Sequence, residues 1–578
     1  MQPVTVRRWQ ERSALPDPLS LQTLASELRV NRLTAHLLAQ RGGNDLAAAR
    51  DFLDPRLQQL PDPFLLGEME TAVLRLMAAI HAGEKIAIHG DYDVDGISGT
   101  ALLVEGLLAL GAAAVDYYIP LRLRDGYGLS AEHLRQASAA GARVAVSVDC
   151  GIAAVAEADV ARELGLDLII TDHHQPPAVL PVACAIVNPL LPDSLYPDKD
   201  LAGVGVAFML LIALRSRLRA AGAFTVVPEP DLRTSLDLVA LGTIADVVPL
   251  RGVNRIVTRI GLGIINQGRR PGLKSLATAA GIRQVTCGNV AFSLAPRLNA
   301  AGRLEDANLG VELLLTSEAQ RAAGLASLLD GFNRERQEVE QLVLSEAIAQ
   351  VEAGKGGEFS LVLAGEGWHP GVIGIVASRL VERYHRPTVL IALDGDTGKG
   401  SARSIRGLHL YRILQQCAAE LDGYGGHAFA AGLSIAARRI DSFVSAFEQA
   451  AAATLSTEDL LPVLLYDSEV LIEDLSLPIL ADLQRLSPFG AGNPEPLFLL
   501  RNARAQQMVP CGTGHLKFSV RQGGFSLPCI AFAFPPQWGE FLSGEIDLLV
   551  SVQKQEWQGR VSLQLRVKDI RPAQDGDN

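Results

Sequence analysis

The sequence predicts an α/β protein: a parallel-sheet domain and a second α/β domain joined by a long helix, followed by an all-β module. Three observations carry this. From about 70 to 250, the strand-like runs "KIAI", "AVDYYIP", "RVAVSVD", "LDLIITD" and "CAIVNP" alternate with Ala/Leu-rich helical stretches. Such alternation implies right-handed crossovers and a parallel sheet. Residues 317–353 contain no proline and place Leu325, Leu329, Phe332, Val339, Val343 and Ile348 at helical spacing. Near the end, Val561, Leu563, Leu565 and Val567 alternate with Ser562, Gln564, Arg566 and Lys568, the two-residue period of a strand with one wet face.

At 578 residues, a prior of about 150 per domain suggests three to four domains. The boundaries expected are 1–55 for a helical segment, 56–315 for the parallel-sheet domain and 316–354 for the connecting helix. The second α/β domain is expected over 355–455 and the β module over 460–575. A 48% hydrophobic and 20% charged composition is that of a soluble globular protein. The uncharged run "LAGVGVAFMLLIAL" is too short to span a bilayer, and "MQPVTVRRWQERSALPDP" lacks an apolar signal core. A cytoplasmic chain without membrane contact is therefore expected. The six cysteines form no CxxC pair and read as reduced thiols. A net charge of −12 argues against a nucleic-acid binder, but it does not report how charge is distributed, and metal-binding carboxylates would hide part of the deficit.

In chain order, "LQTLASELRV" and "LTAHLLAQRG" are short amphipathic helices. "KIAI" is a buried strand, followed by "ISGTALLVEGLLALG" as a helix. "GIAAVAEADVARELG" is a crossover helix. The long helix should open with a Ser317–Gln320 capping box and stop at Gly354. It would be on the order of 50 Å long, enough to separate two domains. "FSLVLAG" and "PTVLIAL" are strands of the second domain. In "GGHAFAAG", a glycine-rich turn holds His427 before a small-residue helix whose N-terminus would favour a phosphate. "IDLLVSVQK" and "RVSLQLRVKDI" flank "QEWQG" as a hairpin.

The chemistry starts at "IAIHGDYDVDG". His89, Asp91, Asp93 and Asp95 stand at every second position, so an extended chain would present them on one face. Crowded carboxylates repel one another and call for a cation. Other strand ends supply Asp149, then Asp172, His173 and His174, and an apolar helix or strand ends at Asp246. A lone Asp there is often a helix cap, and a lone His a satisfied structural residue. Jointly they form a mixed oxygen/nitrogen site, which suits manganese or magnesium better than zinc.

"DYDVDG", "VDCG", "TDHHQP" and "GTIADVVPL", in this order, resemble the four motifs of the DHH phosphoesterase superfamily. "PLRLRDGYGLS", "PRLNAAGRLEDA", "GVIGIVASRL", "GSARS" and "GGHAFAAG" narrow the resemblance to the bacterial RecJ family. Those are single-stranded-DNA-specific 5′→3′ exonucleases. The resemblance implies a pair of divalent ions, Mn²⁺ or Mg²⁺, that activate water and stabilise the leaving oxygen. It makes His89, Asp93 and Asp95 metal ligands, Asp149 a bridge, and His173 and Asp246 the rest of the second site. His174 would contact the scissile phosphate, with Asp91 and Asp172 in supporting roles such as orienting a ligand imidazole. Arg303, Arg379, Ser401, Arg403, Gly426 and His427 would surround the nucleotide, and Arg122 or Arg124 would join Ser401 and Arg403 at a 5′-terminal phosphate.

The β tail resembles an OB-fold. Phe518, Phe525 and Trp557 interleave with Lys517, Arg521, Lys554 and Arg560, the mixture that single-strand binding requires. By family, the implied partners are single-stranded DNA, a single-strand-binding protein and a RecQ-type helicase, with the protein a monomer. The implied roles are in DNA repair and recombination. Two rivals are a small-substrate phosphodiesterase for oligonucleotides or cyclic dinucleotides, and a non-catalytic DNA-binding scaffold. The OB-like tail disfavours the first, and the full ligand set disfavours the second.

Overall fold

A computed structural model describes residues 6–12, 18–43, 45–121, 128–304, 306–557 and 559–573. The first domain is built on five parallel strands. Their order across the sheet is Ala114–Tyr118, Lys85–Gly90, Ala142–Val148, Asp167–Thr171 and Ala185–Val187. Burial is nearly continuous along the central three, as for a parallel sheet covered by helices on both faces. The chain first leaves Lys85–Gly90 to one side and then crosses to Ala142–Val148 on the other. Beyond the carboxyl ends of those two strands lies the switch point where such sheets bind ligands. "LAGVGVAFMLLIAL" falls in the helix Gly203–Ala220, which is buried nearly all round. Among the described residues, no helix is long and apolar enough to cross a membrane.

The connecting helix runs Ala319–Glu352. Its N-cap is Glu318 and carries no side-chain cap bond, so the expected Ser317–Gln320 box does not form. Ser317 lies one residue too early to reach the open amides of the first turn. Gly354 follows the helix end with φ 91°, a conformation glycine adopts without strain. Leu325 and Leu329 pack into the core of the first domain, while Val343 and Val351 pack into that of the second. One helix thus serves two cores.

The second domain has a mixed sheet. Leu361–Glu366 and Thr388–Asp394 run parallel, then Thr397–Arg403, Ala430–Ala436 and Gly423–Gly426 add antiparallel. The small-residue helix expected after His427 is a strand, Ala430–Ala436. Alanine favours helices, but pairing with Thr397–Arg403 along seven residues overrides local propensity.

The tail closes into a barrel, because Phe498–Cys511 pairs with both His515–Gln522 and Glu545–Trp557. Leu563, Leu565 and Val567 point into its core, and Val561 at the end of the same row is 42% exposed. The N-terminal helices Pro18–Leu28, Arg32–Gln40 and Leu46–Leu53 bury their apolar faces in that same core. Arg8–Glu11 also pairs parallel with Val463–Tyr466. The two ends of the described chain therefore build one unit.

Candidate metal centre and cleft

The acidic motif does not stay extended. Lys85–Gly90 ends one residue after His89, and the helix Val94–Ala109 starts with Asp93 as its N-cap. Asp93 accepts from the amides of Asp95 (2.9 Å) and Gly96 (3.1 Å). Asp95 lies in the first helical turn and is 1% exposed. Its Oδ2 and Oδ1 accept from the amides of Gly203 (2.6 Å) and Val204 (3.0 Å), at the start of the helix Gly203–Ala220. The expected one-faced row is thus a strand end, a cap and a helix N-terminus, because the cap bonds of Asp93 draw the chain into a helix.

Asp149 directly follows Ala142–Val148 with φ 63°, held there by its amide, which donates to Thr171 O (3.0 Å). Asp246 ends the helix Leu236–Ala245. His173 joins them: its Nε2 is 3.1 Å from Asp149 Oδ1, 3.5 Å from Asp246 Oδ2 and 4.0 Å from Asp95 Oδ2. Three sets of ligand atoms lie within 4.8 Å of one another. They are Asp95/His173/Asp246, Asp91/Asp93/Asp149 and Asp149/His173/His174. Asp91, expected in a supporting role, stands among the ligand atoms. His89 stands outside these sets, stacked on Tyr118 with ring centroids 5.2 Å apart.

Asp172 is 1% exposed and accepts from the amides of Ile152 (2.9 Å), His173 (2.7 Å) and His174 (3.0 Å). It also holds His174 Nδ1 at 2.8 Å. Burial alone would lower the His174 pKa, but the bond to Asp172 and the surrounding carboxylates raise it to about 9. Burial and the Asp93 charge push Asp95 up to about 7, against its two amide bonds. Burial and the Asp95 charge push Asp246 to about 8 and Asp149 well above the carboxylate range. Burial holds His173 down at about 4 and His89 at about 3. The neutral rings of His89 and His173, set among carboxylates that resist ionising, are a donor set that divalent cations would complete.

Two glycines outside the acidic motif make this packing possible. A Cβ on Gly203 would stand 2.6 Å from Asp149 Cβ, and one on Gly242 would stand 2.6 Å from Asp95 Oδ1. Sequence reading missed both, because their reason is a contact with residues far along the chain.

Comparison with known proteins gives three matched regions: the DHH family, N-terminal domain, over 85–243, the DHHA1 domain over 347–453, and the RecJ OB domain over 466–569. The single-stranded-DNA-specific exonuclease RecJ of Bacillus subtilis is 40% identical over 96% of this chain and 70% of its own length. The chain belongs to the RecJ family. The crystal structure of RecJ in complex with Mn²⁺ from Thermus thermophilus superposes with a TM-score of 0.83 at 34% identity, covering 98% of this chain and 80% of that one. Its Mg²⁺ counterpart gives 0.77 at 32% identity, covering 98% and 79%.

In this RecJ-family chain Arg403 ends the strand Thr397–Arg403 of the DHHA1 domain, and His427 follows Gly423–Gly426. His427 has its pKa lowered by partial burial and then by the charges of Arg403, His174 and His409, so the charge of His174 on the first domain reaches it. Arg403 donates to Ser401 Oγ (3.3 Å), and Gly374 leaves room for both side chains. Gly426, at φ 142°, turns the chain into the exposed His427 loop. Arg379 is ion-paired with the buried Glu340 of the connecting helix and stays half exposed. Arg122 and Arg124 lie outside the described residues, as do the side chains of Arg303, Trp557 and Arg560.

On the RecJ barrel, one expectation fails. Phe518 is 3% exposed and part of the core, since its strand position points inward. Lys517 is exposed, Phe525 is 52% exposed, and Lys554 pairs with Glu556 at 3.3 Å.

Proposed function

We propose that this chain is a divalent-metal-dependent exonuclease that degrades single-stranded DNA from its 5′ end, in DNA repair and recombination. The observation that carries the reading is the meeting of three ligand sets on shared Asp149 and His173, beside His174, whose charge reaches His427 of the DHHA1 domain. The residues fit a pair of cations. The donors are carboxylate oxygens and imidazole nitrogens, and the buried Nε2 atoms of His89 and His173 have no hydrogen-bond partner. His89, Asp91, Asp93, Asp95, Asp149, His173 and Asp246 would hold the ions, with Asp149 shared. When bound, such a pair supplies the Lewis acidity that activates water and neutralises a leaving oxygen.

The protein's own groups do the rest. Asp172 fixes the His174 ring through Nδ1, which leaves the other nitrogen to donate to a phosphate oxygen. The amides of Gly203 and Val204 hold Asp95 in place through the helix start. Ser401 and Arg403 offer a hydroxyl and a planar cation to a terminal phosphate, whose extra charge distinguishes an end from an internal diester. The same reading makes the protein a cytoplasmic monomer, acting with a single-strand-binding protein and a RecQ-type helicase. Digestion of 5′- and 3′-end-labelled single strands with Mn²⁺, Mg²⁺ or EDTA tests it. Release of labelled mononucleotide from the 5′ end first, abolished by EDTA, is expected; 3′-first release or metal-independent cleavage would refute it.

A further inference from the structure

Asn254, in the first turn of the helix Gly252–Gln267, belongs to none of the three ligand sets, yet it is 1% exposed. Its side-chain nitrogen donates to two backbone carbonyls, Asp200 O (2.6 Å) and Pro249 O (3.1 Å). Both partners are acceptors, so the NH₂ end of the amide must face them, and each of its hydrogens serves one. Its Oδ1 is buried with no hydrogen-bond partner, a penalty that the two donated bonds have to offset. A hydroxyl, with a single hydrogen, could hold only one of the two carbonyls.

Those carbonyls lie on the two segments that set the spacing of Asp95, His173 and Asp246. Asp200 stands three residues before Gly203, whose amide, with that of Val204, holds the Asp95 carboxylate. The same loop is tied to the helix a second time, where Asp198 Oδ2 accepts from the Val253 amide (2.7 Å). Pro249 stands three residues after Asp246. Between them Val247 has φ 61° and is 66% exposed. A β-branched residue is strained in the left-handed region, and an exposed side chain has little packing to keep it there, so the flanking backbone must. On the carboxyl side, that backbone is fixed by Asn254 and by the Leu250 amide, which donates to Ala491 O (2.8 Å). We infer that Asn254 is a positioning residue of the metal centre: one amide group fixes Asp246 relative to Asp95. Asp149 is fixed separately, by its bond to Thr171, so the Asp91/Asp93/Asp149 set does not depend on this clamp. The inference rests on the metal-pair reading above.

A calorimetric Mn²⁺ titration of the DNA-free protein tests it, with Asp246→Asn marking the binding event that belongs to the Asp95/His173/Asp246 set. Asn254→Leu keeps the branched shape and removes both donors. It should weaken the marked event roughly 10–100-fold, the usual loss when a group supporting a metal ligand is removed, and leave the other event within about threefold. Asn254→Ser retains one donor and should fall between; it carries the comparison where leucine prevents folding. The control is Asn266→Leu, roughly 18 Å further along the same helix, where the amide holds both backbone groups of Val285 (2.7 and 2.9 Å). It should lower the melting temperature in EDTA and leave both events unchanged. Wild-type affinity at the marked event, equal loss at both events, or the same selective loss in Asn266→Leu overturns the assignment. A wild-type isotherm that Asp246→Asn leaves unaltered sinks the metal-pair reading itself.

Discussion

Adding one methyl group at Gly203 should disable the metal centre without unfolding the protein. In Gly203→Ala the new Cβ would stand 2.6 Å from Asp149 Cβ, 2.7 Å from its Oδ1 and 2.8 Å from its Cα. Ordinary contact begins at 3.4 Å, so something must move by about 0.8 Å. Rotating a side chain cannot relieve a clash with Cα and Cβ. Asp149 is held by its amide bond to Thr171, and the helix start is held by the Asp95 carboxylate. Overpacking of this kind costs about 1–3 kcal/mol and lowers the melting temperature by a few degrees. Metal ligands tolerate displacements of about 0.2 Å, and a shift near 1 Å at a reacting centre costs on the order of a hundredfold. Scanning calorimetry, a calorimetric Mn²⁺ titration of the DNA-free protein and kcat/KM on an end-labelled strand measure the three effects. Mn²⁺ affinity and kcat/KM both within about threefold of wild type would refute the reasoning.

Asp172→Asn places an amide donor where a buried carboxylate accepts four bonds, and should lose about 1–3 kcal/mol in denaturant titration and 10–100-fold in turnover; wild-type values would show that Asp172 does not orient His174. Arg403→Ala should weaken 5′-phosphorylated strands roughly ten- to a hundredfold, the worth of one charge-assisted contact, and 5′-hydroxyl strands less. Equal loss on both, measured in Ca²⁺, would make Arg403 a general backbone contact. A fragment spanning residues 56–460 keeps every proposed ligand and should cleave short strands while binding long ones weakly. Removing the barrel alone should give insoluble protein, because Leu21, Leu24, Leu37 and Leu38 would lose their core; a soluble, cooperatively melting product would overturn that expectation.

Where local pattern and tertiary packing agree, the sequence was readable. The five parallel strands have continuous apolar runs, and the connecting helix and the terminal hairpin have a period, that burial confirms. The acidic and imidazole residues were also legible, since each sits at the end of an apolar run. Their arrangement was not, because the turn from strand to helix at Asp93 depends on its own cap bonds. "AAGLSIA" reads as helix from alanine and becomes strand through pairing with a neighbour that no local window contains. Phe518 and Phe525 lie on the same face of their paired strands, but Phe518 sits mid-strand inside the core whereas Phe525 stands at the hairpin end, 52% exposed. Gly203 and Gly242 carry no signal of their own; their necessity lies in carboxylates brought close by the fold.

The shared core of the N-terminal helices and the barrel has a consequence for biosynthesis. Trp9 donates to Asp569 across 560 residues of sequence, and Leu37 and Leu38 are fully buried in a core completed by Leu565 and Ile570. A ribosome adding about 5–20 residues per second finishes that core roughly half a minute to two minutes after its first piece emerges. Throughout that interval three amphipathic helices wait with bare apolar faces while the two α/β domains fold between them. These helices are thus made long before the core that covers them, and during translation they are where a holding chaperone would bind.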